Sequence, residues 1–239
     1  MVLKYRIPIM PLPKAIHRAF DIAIQNGATD ESQFCGPYNM LLTYLFPFEE
    51  GYLVAPQFKR LTYSKFASFA TIFTVEHKHH PVFFLEIKSS GSIRHISSRA
   101  EADLQMRNRF KRLFEDVEID NLYGASAIGT KICLYKLDLV NRQLSPTFIP
   151  KNPEFVTDTA PIDRWNIDIM TPEGEEELCK VVQQIKEMSC QLCRYYLILC
   201  SRLLLIVLGF KLGRRPQSTE GVWHELAEGV RRRRDGGSG

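Results

Sequence analysis

Residues 81–88 read Pro-Val-Phe-Phe-Leu-Glu-Ile-Lys. A short apolar run rich in Phe and Val is the pattern of a strand buried for most of its length. This one closes on two charges. Alternation puts Glu86 and Lys88 on the same strand face, about 6.6 Å apart along it. Opposite charges at the end of a buried strand suit a metal-dependent site. The carboxylate would bind a hard divalent cation such as Mg²⁺, and the lysine would orient the attacking water. The plainer alternative is a surface ion pair, worth about 0–1 kcal/mol.

The neighbouring segments supply a domain around this strand. Pro13 to Gly27 predicts a helix with Ile16, Ala19, Phe20, Ala23 and Ile24 at helical spacing. Thr29 or Asp30 can cap a second helix from about Glu31, with Phe34, Leu41, Leu42 and Leu45 as its stripe. Tyr52–Phe58, Phe66–Val75 and Val82–Lys88 read as strands, the last two as a hairpin across Glu76–His80. A helix is expected over Ser97–Phe114, buried through Ala100, Leu104, Phe110, Leu113 and Phe114. A strand pair or one bent strand is expected over Leu122–Asp138, then a loop-rich stretch, Val140–Asp168. A last helix opens at Thr171 or Pro172, with Glu173, Glu175, Glu176 and Glu177 near its N-terminus, where the macrodipole favours them. The order predicts one mixed α/β or α+β domain over residues 1–188.

Charge narrows the choice of partner. The chain carries 31 Lys+Arg against 27 Asp+Glu, a net +4. From Ser189 onward there are 9 basic and 4 acidic residues, and the rest holds 22 and 23. The predicted domain is therefore not the basic body expected of a general polyanion binder. Met1–Pro13 lacks the apolar core of a secretory signal, and the six cysteines show no framework spacing. An intracellular protein, nuclear or cytoplasmic, with reduced thiols is expected.

The ordered motifs resemble the PD-(D/E)XK nuclease superfamily, whose core is the restriction-endonuclease-like fold. More closely, they resemble a family of uncharacterised fungal proteins with a nuclease-like core of that type. The resemblance rests on Glu31-Ser-Gln-Phe with Pro37-Tyr-Asn39, Val54-Ala-Pro-Gln, Phe69-Ala-Thr-Ile-Phe and Pro81 to Lys88. Arg99-Ala-Glu-Ala-Asp-Leu-Gln105, Leu122 to Gly129 and Trp165-Asn-Ile-Asp follow in order, so it covers roughly residues 15–188. It implies Glu86 and Glu31 as ligands of Mg²⁺ and Lys88 as the group that positions water. Gln105 would be a polar residue near metal or phosphate. The substrate class implied is a DNA or RNA phosphodiester.

One element of that pattern is missing. The superfamily carries an Asp on the preceding strand. With the hairpin centred near His77, paired positions sum to 154, so position 68 faces 86 and position 66 faces 88. Position 68 holds Ser68. A serine hydroxyl brings no charge to a Mg²⁺ site, which predicts impaired catalysis, with a non-catalytic nucleic-acid- or protein-binding module as the alternative.

Other features carry less. His77, His79, His80 and His95 lack zinc-ligand spacing and read as a solvated turn. Cys190-Gln-Leu-Cys193 follows a helix, where a redox motif does not sit. Arg94, Arg99, Arg107, Arg109, Lys111 and Arg112 form either a solvated face or a phosphate-binding one. Residues 189–239 form a separate extension, apolar and then Arg-rich. Tyr195–Phe210 is 16 residues with one charge, Arg202. At about 24 Å as a helix it is short of a roughly 30 Å hydrocarbon core. A membrane anchor, a buried or partner-binding helix, and an extension read from a misjoined frame remain three open readings.

Overall fold

A computed structural model describes residues 11–26, 30–61 and 68–211; for residues 58–61, 68–71 and 193–211 it describes the backbone alone. The expected cap at Thr29, the strand start at Phe66 and the Arg-rich 212–239 lie outside the described residues.

Two helices come first, α1 (Lys14–Gln25) and α2 (Cys35–Leu45). On α1 the residues Ile16, Phe20 and Ala23 are buried, one stripe at helical spacing, whereas Ile24 is exposed. The Asp30 carboxylate accepts from the Ser32 N–H at 3.0 Å and caps a 3-10 turn, Glu31–Phe34, which leads directly into α2. Pro37 lies in the first turn of α2, where its missing N–H leaves no helical bond unmade.

Three antiparallel strands follow: β1 (Tyr52–Leu61), β2 (Ser68–His77) and β3 (His80–Lys88). α3 (Ile96–Leu113) crosses over, and β4 (Asn121–Ile128) lies parallel to β3. β5 (Lys131–Asp138) returns antiparallel to β4; the short strands β6 (Gln143–Ser145) and β7 (Ile167–Asp168) both pair with β5. The last helix is α4 (Pro172–Lys211). The result is an α+β fold with a central mixed sheet in the order β1-β2-β3-β4-β5-β6. The hairpin and the flanking helices match the class expected from the sequence.

The sheet separates two cores. One face packs on α1, α2 and α4 through Phe73, Val75, Phe83, Leu85, Ile87, Ala125 and Ala127. The other packs on α3 through Phe84, Met106, Phe110, Leu122, Ile128 and Tyr135. At Gly124 a Cβ would lie 2.8 Å from the Phe84 ring and 3.0 Å from the Met106 methyl, so the missing side chain lets α3 approach the sheet.

The buried face of α3 is not the expected one. Arg99, Ala102, Asp103, Met106, Arg109 and Phe110 face inward, while Leu104 is 55% exposed. Buried ion pairs explain the difference. Asp103 accepts from Arg107 at 2.7 Å, Arg164 at 2.8 Å and the Tyr135 hydroxyl at 2.9 Å. Arg99 pairs with Asp158 and donates to the Ala160 carbonyl. These arginines tie α3 to the loop before β7. Of the expected stripe, Arg99, Arg107 and Arg109 are buried or paired, whereas Arg94, Lys111 and Arg112 are exposed.

α4 passes without interruption through residue 188, where the sequence suggested a boundary, and through 195–210. No helix among the described residues is long and apolar enough to cross a membrane. The side chains of 195–210, on which the anchor reading rests, lie outside the described residues.

Candidate functional site

The site is the carboxyl end of the parallel pair β3–β4, on the face covered by α3. Glu86 and Lys88 share this face and are 2% and 9% exposed. The two strand ends are tied together. The Gly129 N–H donates to the Lys88 carbonyl at 3.1 Å, and the Tyr38 hydroxyl donates to the Gly129 carbonyl at 2.7 Å. Gly129 has φ +63, a conformation that favours glycine, and a Cβ there would also lie 2.7 Å from that of Ser90.

Register defines the row across the sheet at Glu86. Gln57 pairs with Ile72, Ile72 with Glu86, Glu86 with Ser126, and Ser126 with Cys133. The expected opposition of Ser68 and Glu86 is therefore incorrect. Ser68 pairs with Leu61 at the far end of β2. Four residues, roughly 13 Å of strand, separate it from the position facing Glu86. Two local features moved the register. The turn is the pair Lys78-His79, with φ 53° and 69°, rather than a loop centred on His77. Both residues take the left-handed conformation that a tight two-residue hairpin requires. An irregularity at Val75/Glu76 then shifts the pairing by one more residue. The position where a second strand carboxylate would stand holds Ile72, which is buried. No carboxylate therefore faces Glu86 from β2, and the residue opposite it is Ile72, not Ser68.

Glu31 is in range of the strand end, and Gln105 lies on the helix that covers this face. Glu31, in the turn before α2, lies within electrostatic range of Lys88 and of Glu86. Gln105 on α3 donates from Nε2 to Glu101 Oε1 at 3.0 Å. Glu101 and Arg109, one turn to either side of Gln105, both act on the charge of Glu86. The Arg109 guanidinium donates to Gln57 Oε1 at 2.7 Å and Thr74 Oγ1 at 3.0 Å, pinning α3 over β1 and β2.

Burial dominates the electrostatics. It pushes the Glu86 carboxyl from an ordinary 4.5 up to about 7; Lys88 and Arg109 pull it down, and Glu31 and Glu101 push it further up. Burial also raises Glu31, against the pull of Lys88. Glu86 Oε1, Gln105 Oε1 and Ser126 Oγ are buried without a hydrogen-bond partner.

Among the described residues no three of His, Cys, Asp and Glu are grouped so as to hold a metal ion. The residues nevertheless suit one hard cation better than two. Glu86 offers an unpartnered carboxylate oxygen and Glu31 a second acid nearby, but Ile72 removes the acid that a second cation would need. The histidines are dispersed. His77 packs on the Tyr52 ring, His79 is in the turn, and His80 pairs with Glu118 at 3.3 Å.

Sequence reasoning passed over Ser126, Glu101 and the inward aim of Arg109. Ser126 did carry a signal: strand alternation aligns it with Leu122, Gly124 and Ile128 on the α3 side, the one polar residue of that set. No protein-family model, curated protein or solved structure matches this chain.

Proposed function

We propose that the chain is a PD-(D/E)XK nuclease-like protein with a restriction-endonuclease-like core and a single, weakened cation site. Its reaction would be hydrolysis of a nucleic-acid phosphodiester. The observation that supports this reading is the buried Glu86 at the end of β3, beside Lys88 and within electrostatic range of Glu31, under a crossover helix in a mixed sheet. Glu86 and Glu31 would hold Mg²⁺. When bound, it supplies Lewis-acid polarisation of the phosphodiester. Lys88 would fix the attacking water and meet the charge that develops on the phosphate. The site lies largely beneath α3, so substrate would reach it from the strand end, past Glu31 and Lys88. Ile72, apolar where a carboxylate is needed, makes the reaction slow.

Cleavage of single- and double-stranded DNA and RNA by the full chain tests this reading. Slow Mg²⁺-dependent cleavage is expected, lost in Glu86→Gln and Lys88→Met and faster in Ile72→Asp. An inert parent, or equal cleavage by all variants, overturns it.

A second reading keeps the fold without the chemistry, as a nucleic-acid- or protein-binding module. The pairing of Ile72 with Glu86 favours it. It differs in predicting binding that is indifferent to Mg²⁺ and to Glu86→Gln.

A further inference from the structure

The row at Glu86 contains a serine that packing does not explain. β4 is an apolar strand, with Ala125 and Ala127 buried on one face and Leu122 and Ile128 on the other. Ser126 is fully buried between them, and its hydroxyl has no hydrogen-bond partner. Alanine would fill the same space without burying an unpaired polar group. Ser126 is the direct parallel partner of Glu86, at the strand spacing of about 4.8 Å and on the same face. Glu86 Oε1 is likewise buried and unpartnered.

A third oxygen comes from α3. Gln105 turns its amide nitrogen to Glu101 and leaves Oε1 buried and unpartnered. Its neighbours one turn away, Glu101 and Arg109, both interact with the charge of Glu86, which sets Gln105 over the same strand end. Arg109 gives Glu86 no hydrogen bond: its Nη2 donates to Gln57 and Thr74, and its Nε is buried without a partner. Three oxygens are thus buried and unpartnered, two on paired strand positions and one on the helix that covers that face. Oxygen ligands of this kind suit a hard divalent cation. A serine hydroxyl on Mg²⁺ has precedent in phosphate-binding loops.

We infer that Ser126 is an oxygen ligand of this cation site and that it acts with the Gln105 amide oxygen and Glu86. The inference rests on the proposed cation-dependent reading and adds a residue outside the Glu-x-Lys motif. Two neutral oxygens take the coordination positions that Ile72 leaves unfilled, without restoring its charge. The site therefore binds weakly, in keeping with slow chemistry.

The test is Mn²⁺ binding to the full chain, followed by electron paramagnetic resonance and by the cation-induced rise in melting temperature. Ser126→Ala and Gln105→Met each weaken binding by about tenfold or more, and Glu86→Gln abolishes it. Without cation, Ser126→Ala melts no lower than the parent, which separates a lost ligand from a damaged core. Parent-like affinity in both Ser126→Ala and Gln105→Met, with binding still lost in Glu86→Gln, overturns the assignment of Ser126 but leaves the Glu86 cation site standing. Absence of Mn²⁺ binding by the parent overturns both.

Discussion

The two faces of the sheet are built by different means. Towards α1, α2 and α4, β3 presents Phe83, Leu85 and Ile87 and β4 presents Ala125 and Ala127, all apolar. Towards α3 the same strands present Phe84, Glu86 and Lys88, then Gly124, Ser126 and Ile128. One face holds its helices mainly by shape and by apolar area removed from water, with neutral hydrogen bonds from the Tyr38 and Tyr123 hydroxyls to the Gly129 carbonyl and Gln184. The other also holds its helix by shape, through Phe84 and Phe110 with ring centroids 4.7 Å apart. It adds charge: Arg99 to Asp158, Arg107 and Arg164 to Asp103, and Arg109 to Gln57 and Thr74. The buried charges are thereby concentrated on one side of the layer.

Three substitutions probe that division. The largest effect is expected on the apolar face. Phe83 is fully buried and stacks on Phe46 at 5.8 Å, so Phe83→Ala costs about 3–5 kcal/mol. Denaturant melts at pH 5 and pH 8 should give the same loss, since no charge is involved.

On the α3 face the dependence on pH should be strong. The folded state raises the Glu86 carboxyl to about 7, so it favours the protonated form. Below about 4.5 the group is protonated in folded and unfolded chains alike and imposes no penalty. As pH rises towards 7 the unfolded chain ionises first, and stability falls by about 3 kcal/mol in all. Glu86→Gln in metal-free buffer should therefore stabilise at pH 8 and have little effect near pH 4. A stabilisation that does not change with pH would show that Glu86 is not desolvated as described.

The smallest effect measures the fit of α3 itself. Gly124→Ala pushes a methyl against Phe84 and Met106 and should cost about 1–3 kcal/mol. Melting temperature reads the cost. A neutral result would mean that the α3 face is loosely packed and that its helix is held chiefly by charge.

The same contrast explains what the sequence disclosed. Strand β3 was legible because its apolar run ends abruptly in Glu86-x-Lys88. α1 was legible because Ile16, Phe20 and Ala23 repeat at helical spacing. The inner face of α3 was not, since Arg99, Asp103 and Arg109 are buried there and hydrophobic periodicity pointed to Leu104 instead. The absence of a second strand acid was visible, but its address was not. Lys78-His79 has none of the glycine or asparagine that marks a tight turn, and the irregularity at Val75/Glu76 leaves no compositional trace. Glu31 and Lys88, singled out with Glu86 from the motif order, do lie in electrostatic range of it. Ser126 could be placed beside Glu86 only once the parallel register was known.

That parallel register has a temporal consequence. The hairpin of β2 and β3 closes through two residues, so Glu86 finds Ile72 by a local event. Glu86 and Ser126 lie forty residues apart and meet only after α3 has crossed over and β4 has docked. Long-range pairing of this kind comes late, because the intervening chain must first give up its freedom. During synthesis the Glu86 carboxylate is therefore made early and acquires its serine neighbour late, when the crossover is complete.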